Sequence, residues 1–231
     1  MPAGLLTAAG AAPGIFGKLP WLGDFVVQRL PRGFVEPWDA WLQDGLAASR
    51  VALGDAWLDR YRTAPVWRFA LPAHVAGPPV AGLFLPSVDR VGRYFPLTLA
   101  LPLESGPPPD LPASAASWFD ALEAVALAAL EEETRPEDWL SALERIGAPP
   151  LVPAERRRGD DDWILESVTP DGGLAAAFAR VADRLAPDAA PARFWTSPGA
   201  EGWFLAGAGL PPADFWPRLL IGPAESAEAP P

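Results

Sequence analysis

The sequence contains no cysteine, one histidine (His74) and one lysine (Lys18) among its 231 residues. Without cysteine the chain can form no disulfide, thiolate nucleophile or cysteine-ligated metal site, and one histidine excludes sites that need two histidine ligands. No uninterrupted apolar run approaches the roughly 18 residues of a membrane-spanning helix. The first thirteen residues carry no charge, whereas a secretory signal needs a basic start. We therefore expect a flexible tail there, no membrane insertion and residence in the cytoplasm.

The charge of the chain is acidic overall and unevenly distributed. The formal net charge is −11. Residues 14–103 contain nine basic and seven acidic residues, whereas residues 104–231 contain nine basic and twenty-two acidic ones. An acidic chain is poorly suited to bind nucleic-acid phosphates, so we expect no nucleic-acid partner. The nearly neutral first part leaves room for an acidic or phosphorylated protein partner.

Helical and strand patterns alternate in blocks along the chain, which favours an α/β or α+β sandwich. Eleven tryptophans and eleven phenylalanines suffice for a sizeable aromatic core. We predict helices over residues 33–50, 55–62, 114–133, 136–146, 174–185 and 211–220. We predict strands over residues 14–20, 66–71, 80–85, 95–101, 163–165, 193–196 and 203–206, of which the three between 66 and 101 form an antiparallel meander.

Three details of these elements can be stated from local chemistry. Pro37 falls in the first turn of the first helix, where its missing N–H costs nothing. Asp55 is expected to cap the second helix after Gly54. The wide apolar stripe of residues 114–133 predicts a helix that packs against a sheet.

A polar turn between two apolar strands is the most distinctive segment of the chain. Residues 86–96 read Pro-Ser-Val-Asp-Arg-Val-Gly-Arg-Tyr-Phe-Pro, and the candidate binding residues in it are Ser87, Asp89, Arg90, Arg93 and Tyr94. Buried strands on both sides would hold these polar groups on a rigid base, where proteins often place recognition groups.

The role of the two arginines has two interpretations. The guanidinium groups of Arg90 and Arg93 could bind carboxylates or a phosphothreonine of a partner. Alternatively Asp89 pairs with Arg90, Arg93 or Arg68 and fastens the loop internally, which we favour. Gly92 is expected to supply a positive φ in a tight turn.

A second candidate cluster precedes the first helix. It comprises Lys18, Asp24 and Phe25. The only lysine in an arginine-rich chain suggests a need for a compact ammonium, paired with Asp24 or Asp89, although a surface lysine without a role fits equally well. Trp67 joins the candidates, but a tryptophan on an apolar face belongs more often to a core.

Residue types that could support catalysis or metal binding are present without a supporting pattern. Ser87, Asp89 and His74 are the residue types of a hydrolase triad, but there is no Gly-x-Ser-x-Gly elbow. The acidic runs 131–133 and 160–162 lack the alternating spacing of a calcium loop. No phosphate-binding glycine loop occurs. We therefore expect no enzyme activity, no cofactor, no metal and no small-molecule substrate.

Several short segments, in this order, resemble a known family. They are Gly-Lys-Leu-Pro at 17–20, Gly-Asp-Phe at 23–25, Trp-Leu at 41–42, Ala-Trp-Leu at 56–58, Pro-Val-Trp-Arg-Phe at 65–69 and the polar turn at 86–96. With them the chain is similar to the TagF family, also called ImpM, of accessory proteins of the bacterial type VI secretion system. The resemblance is dense over 14–103 and weaker beyond, where it rests on 194–195 and 209–212.

The resemblance implies a function, a fold and a domain organisation. It implies a non-enzymatic cytoplasmic repressor that acts after translation by binding a forkhead-associated (FHA) scaffold protein of the secretion system. It implies a three-layer α/β/α sandwich with a mixed, largely antiparallel sheet. We expect one domain over 14–221, with a motif-rich core at 14–103, an acidic helical part at 104–221 and a disordered tail at 222–231. The alternatives are a structural subunit of the apparatus and a small hydrolase that uses Ser87 and Asp89.

Overall fold

The computed structural model describes residues 12–104, 111–149, 164–168, 191–196 and 202–221, with the backbone alone at 164–168. Its strands are β1 Gly14–Gly17, β2 Val26–Gln28, β3 Trp67–Leu71, β4 Val80–Leu85, β5 Leu97–Pro102, β6 Ile164–Val168, β7 Ala192–Thr196 and β8 Gly202–Gly207. Its helices are α1 Arg32–Leu53, α2 Trp57–Thr63, α3 Leu111–Ser114, α4 Ala116–Ala128, α5 Pro136–Glu144 and α6 Trp216–Ile221, with 3₁₀ turns at Gly54–Ala56 and Ala213–Phe215. Within these ranges no helix is both long and apolar enough to cross a bilayer.

The strands form one open sheet of eight strands in the order β2-β1-β5-β4-β3-β7-β8-β6. Neighbours in this order pair antiparallel throughout. The predicted meander is confirmed, because β4 pairs with both β3 and β5. The predicted α/β class and largely antiparallel sheet are also confirmed, and the described strands contain no parallel pair.

Helices α1, α2 and α6 cover one face of the sheet with an aromatic core. Trp38 of α1 lies at its centre, with ring centroids 4.5 Å from Phe69 and 5.7 Å from Phe84. Its indole N–H donates a 3.0 Å hydrogen bond to the Thr98 hydroxyl, so the one polar atom of the ring is satisfied. The three- and four-residue spacing of apolar side chains in α1 thus predicts its buried face correctly.

Helices α4 and α5 cover the opposite face, which completes the three layers. Trp118, Phe119, Leu122 and Ala126 of α4 are buried there against leucines of β4 and β5. Strand β3 contributes to both faces because successive side chains alternate. Its Phe69 belongs to the α1 side, whereas its Ala70 belongs to the α4 side.

Three local predictions are wrong in detail. Pro37 lies inside α1, beyond the first turn, because the helix already begins at Arg32. Asp55 caps no helix, since it lies within a 3₁₀ turn and α2 begins at Trp57 without a side-chain cap. The long helix ends at Ala128, before the acidic run 131–133, whose charges would be unfavourable at the negative end of a helix dipole.

Several predictions concern residues that the structure does not describe. The helix at 174–185, the acidic run at 160–162 and the tails, apart from residues 12 and 13, lie outside the described residues. The single-domain boundary at 14–221 remains a prediction. The strand pair at 193–196 and 203–206 is confirmed as β7 and β8.

The C-terminal helix is tied to α1 by close packing at a glycine. A Cβ at Gly45 of α1 would overlap the indole ring of Trp216 in α6. We expect Gly45→Ala to destabilise the protein, because overpacking costs about 1–3 kcal/mol and outweighs the helix-propensity gain of about 1 kcal/mol. Gly33→Ala is the matched control in the same helix, where a Cβ meets no atom within 4 Å. In urea denaturation the midpoint of Gly45→Ala should lie below that of the unsubstituted chain, whereas the midpoint of Gly33→Ala should not. Equal midpoints for the two variants would contradict this packing.

Candidate functional site

Two loops leave the same end of the sheet side by side. Gly17 at the end of β1 and Leu85 at the end of β4 both pair with Leu97 of β5. We call the segments that follow these strands the lysine loop (residues 18–25) and the arginine loop (residues 86–96). Gly17 has a φ of 118°, and a Cβ there would overlap the Pro96 carbonyl oxygen, so this close approach requires glycine.

The arginine loop is a tight hairpin of its own. Val88 and Tyr94 form an isolated antiparallel bridge, and the Asp89 amide donates a 3.1 Å hydrogen bond to the Arg93 carbonyl. The Gly92 amide donates to the Asp89 carbonyl at 3.0 Å. Gly92 has a φ of 86°, which confirms the predicted positive φ in this turn.

The buried carboxylate of Asp89 joins the two loops. One carboxylate oxygen accepts hydrogen bonds from the Lys18 ammonium at 2.9 Å and the Arg93 Nε at 2.6 Å. The other accepts from the backbone amides of Val91 at 3.0 Å and Arg93 at 2.9 Å. Lys18 is itself buried, and the Arg93 guanidinium also donates to the Gly23 carbonyl at 2.6 Å. The predicted internal pairing is therefore present, with Lys18 and Arg93 as the partners.

The charge on Asp89 is stabilised by these donors. Burial by itself would raise the pKa of the Asp89 carboxyl. The Lys18 ammonium, the Arg93 amide and guanidinium and the Val91 amide outweigh burial and hold that pKa well below its usual range. Asp89 is consequently ionised at all physiological pH values.

Ser87 and Tyr61 anchor the base of the arginine loop. The Ser87 hydroxyl donates to the Lys18 carbonyl at 2.8 Å, which links the two loops a second time. The Tyr61 hydroxyl of α2 donates to the Ser87 carbonyl and accepts from the Ser87 amide, both at 3.0 Å. Burial raises the pKa of the Tyr61 phenol above its ordinary value, so it stays neutral and keeps both bonds.

Two predicted candidates belong to the core rather than to this surface. Arg68 is buried and pairs with Glu123 at 2.8 Å and Asp120 at 2.7 Å on α4, so its predicted alternative pairing with Asp89 is wrong. Trp67 is buried on the α1 side, where its indole N–H donates to the Leu219 carbonyl at 2.9 Å. Neither side chain can contact a partner at the loops.

The other predicted candidates lie at or near the surface. Asp24, Arg90 and Arg93 are exposed, and Tyr94 is half-buried with its ring 5.7 Å from that of Tyr61. Asp24 accepts a hydrogen bond from the Phe25 amide, and the Lys18 ammonium pairs with Asp89 rather than with Asp24. The Phe25 ring is 45% exposed although it packs edge-on against Phe95 at 4.8 Å. The Lys18 ammonium lies 4.9 Å from its centroid.

Sequence reasoning identified Phe25 but missed the other apolar side chains of this surface. Leu22, Val27 and Val91 are exposed and lie on or next to the two loops. We define the loop face as the exposed side chains of Leu22, Phe25, Val27, Arg90 and Val91. An apolar residue inside a polar turn, as Val91 is between Arg90 and Gly92, is the signal that could have indicated it.

The residue types of the hydrolase triad are not brought together. His74 lies in the connection between β3 and β4, whereas Ser87 follows the far end of β4. The Ser87 hydroxyl is engaged by the Lys18 carbonyl, and Asp89 is engaged by two cations. No group of three metal-ligating side chains occurs in the part of the chain that the structure describes.

The Asp89 pairing predicts a pH-dependent stability. Because the folded-state pKa of Asp89 lies below the ordinary 3.8, its charge stabilises the fold above about pH 4, and this stabilisation is lost as the pH falls towards the folded-state pKa. We expect Asp89→Asn to lower the melting temperature at pH 7 and the deficit to shrink below about pH 4. The control Asp24→Asn changes an exposed carboxylate of the lysine loop. Thermal melts of Asp89→Asn that match the unsubstituted chain at pH 7 would contradict the pairing.

Comparisons with known proteins match this chain over a range that contains both loops. Residues 14–146 match the family model of the TagF N-terminal domain, described as type VI secretion system-associated. The fold is similar to the crystal structure of PA0076 from Pseudomonas aeruginosa PAO1, with a TM-score of 0.71, 38% sequence identity and coverage of 92% of this chain and 95% of that chain. A search of curated proteins gives no match. The matched range contains both loops and more than half of the sequence, so the chain belongs to the TagF family of type VI secretion system-associated proteins.

Proposed function

We propose that this protein is a non-enzymatic cytoplasmic regulator that represses the type VI secretion system after translation by binding its FHA-domain scaffold protein through the loop face. The observation that carries the proposal is an exposed set of apolar side chains and one arginine on a rigid, internally paired base. Aromatic and arginine side chains with such support are typical of the energetically dominant residues in protein interfaces. The family membership supports the secretion system as the setting.

The residues around the loops favour binding over chemistry. Asp89 and Ser87 are the polar groups nearest to a catalytic set, and their hydrogen-bonding atoms are engaged by Lys18, Arg93 and backbone groups. A side chain held in this way positions a loop, whereas a nucleophile needs an adjacent base and an open approach. The net charge of −11 adds an argument against nucleic acid as the partner.

The binding step can be tested with one matched pair of variants. We expect the full chain to bind the FHA protein of the same secretion cluster with micromolar or tighter affinity in a calorimetric titration. Phe25→Ser should weaken binding by about tenfold, because it removes the aromatic anchor of the loop face. Leu127→Ser is the control, since Leu127 is 43% exposed, like Phe25, but lies on α4 across the sheet. Absence of binding by the unsubstituted chain would exclude the scaffold as the partner.

Repression needs a readout in cells. We expect overproduction of the chain in its host to lower the amount of secreted substrate protein while the apparatus components remain at normal levels. Overproduced Phe25→Ser should repress less than overproduced Leu127→Ser at equal protein amounts. Unchanged secretion, together with stoichiometric co-purification with the assembled apparatus, would instead favour the structural subunit.

A further inference from the structure

Among the residues that the structure describes, the loop face holds a large share of the exposed apolar side chains. The described residues include eight large apolar side chains that are exposed, and four of them are Leu22, Phe25, Val27 and Val91. Val91 and Val27 are 64% and 55% exposed. Single exposed apolar residues are ordinary, but several of them on or next to two adjacent loops are typical of an interaction site. The occupant of this surface must therefore supply apolar contacts.

The cations at the loops differ in their availability. Lys18 is buried and paired with Asp89, and Arg93 is held by Asp89 and the Gly23 carbonyl. The backbone amide of Arg90 donates to the Leu22 carbonyl at 2.9 Å, but its guanidinium has neither an ion pair nor a hydrogen bond to any residue that the structure describes. Arg90 thus contributes one uncommitted positive charge next to Val91 in the chain and beside the Leu22–Gly23 segment.

The loop face is organised before a partner arrives. Phe25 is held by the rings of Phe95 and Phe16, with centroids 4.8 Å and 6.4 Å away. Arg90 and Leu22 are joined through the backbone, and the Arg90 guanidinium lies beside Gly23. A surface that is fixed in advance loses little conformational entropy on binding, so a small number of contacts can give useful affinity.

We infer that the loop face binds an unphosphorylated protein segment that carries a large apolar side chain next to an aspartate or glutamate. The apolar side chain packs against Phe25, Val27 and Val91, and the carboxylate pairs with the Arg90 guanidinium in a bidentate fashion. The identity of the partner as the FHA protein rests on the proposed function, whereas the chemistry of the segment rests on the loop face alone.

The net charge of the two loops argues against a phosphorylated residue. A phosphothreonine carries close to two negative charges and is usually bound by a cluster of arginines. The two loops contain three cations (Lys18, Arg90 and Arg93) and two carboxylates (Asp24 and Asp89), a net charge of +1, and the Arg93 charge is already opposed by Asp89. One carboxylate matches the single uncommitted guanidinium without breaking this pair.

The charge distribution along the chain also favours an acidic segment at the loop face. Residues 104–231 contain nine basic and twenty-two acidic residues, a net charge of −13, so this part of the chain repels an acidic segment. Complementary charge at one place and like charge elsewhere guide association and suppress wrong docking. An acidic segment is thereby directed to Arg90.

The inference can be tested with a random display library of unphosphorylated peptides selected on the full chain, independently of any named partner. We expect selected peptides to share a bulky apolar residue adjacent to Asp or Glu. Their affinity should fall at least about tenfold with Arg90→Glu or Val91→Ser, fall less with Arg90→Lys, which keeps the charge but not the bidentate geometry, and be retained with Val91→Ile. Arg32→Glu is the charge control, because Arg32 is highly exposed at the start of α1, at the β3–β4 end of the sheet. Melting temperatures of all variants report that the fold is kept.

The outcomes separate this inference from the proposed function. A selection without a consensus, or a consensus that Arg90→Glu and Val91→Ser leave unaffected, overturns the inference. In a parallel titration, the FHA protein should bind equally well, within about twofold, before and after phosphatase treatment. Binding that requires phosphate overturns the inference and leaves the proposed function in place. If the FHA protein does not bind in either form while the selected peptides share an apolar residue next to Asp or Glu, the proposed partner is overturned and the inference is supported.

Discussion

The buried charge of Asp89 is the constraint on which the arrangement of both loops depends. A carboxylate removed from water must find its counter-charges inside the protein, and here they come from Lys18 and Arg93. Lys18 belongs to the loop after β1, whereas Asp89 belongs to the loop after β4. Satisfying one carboxylate therefore requires the two loops to be adjacent, and this adjacency in turn requires the antiparallel pairing of β1 and β4 with β5.

The sheet and its aromatic layer bring the two loops together without any further contribution from the loops themselves. The ends of β1 and β4 are already held by β5, and Tyr61 of α2 fixes Ser87 from the α1 side of the sheet. The polar groups of the loops are thus placed by elements whose stability comes from burial of aromatic side chains, such as Trp38. A rigid surface of this kind recognises a partner through side chains that are already in position, and it does not need to fold during binding.

The sequence predicted the elements of the sheet better than the ends of its helices. Alternating and continuous apolar runs identified β3, β4, β7 and β8, since every side chain in a central strand of a covered sheet is buried. Helix ends depend on weaker local effects, as Asp55 shows. The Gly-Asp pair at 54–55 predicts a helix cap, but these residues form a 3₁₀ turn and the helix begins two residues later. The sequence limits the candidate ion-pair partners of Asp89 to Lys18 and three arginines. Only the fold excludes Arg68 from these candidates, because it shows Arg68 paired with Glu123 of α4.

The segments that identify the family contain both the buried residues that fasten the two loops and exposed residues that could meet a partner. Lys18, Ser87 and Asp89 belong to one buried polar network that joins the two loops. Loss of any of them disturbs the base of the loops, so a binding defect after such a change does not distinguish contact from folding. Val91 has little part in the core because it is 64% exposed, whereas Phe25 is partly exposed and also packs against Phe95 and Phe16. The function of the loop face must therefore be judged on side chains that the fold does not need.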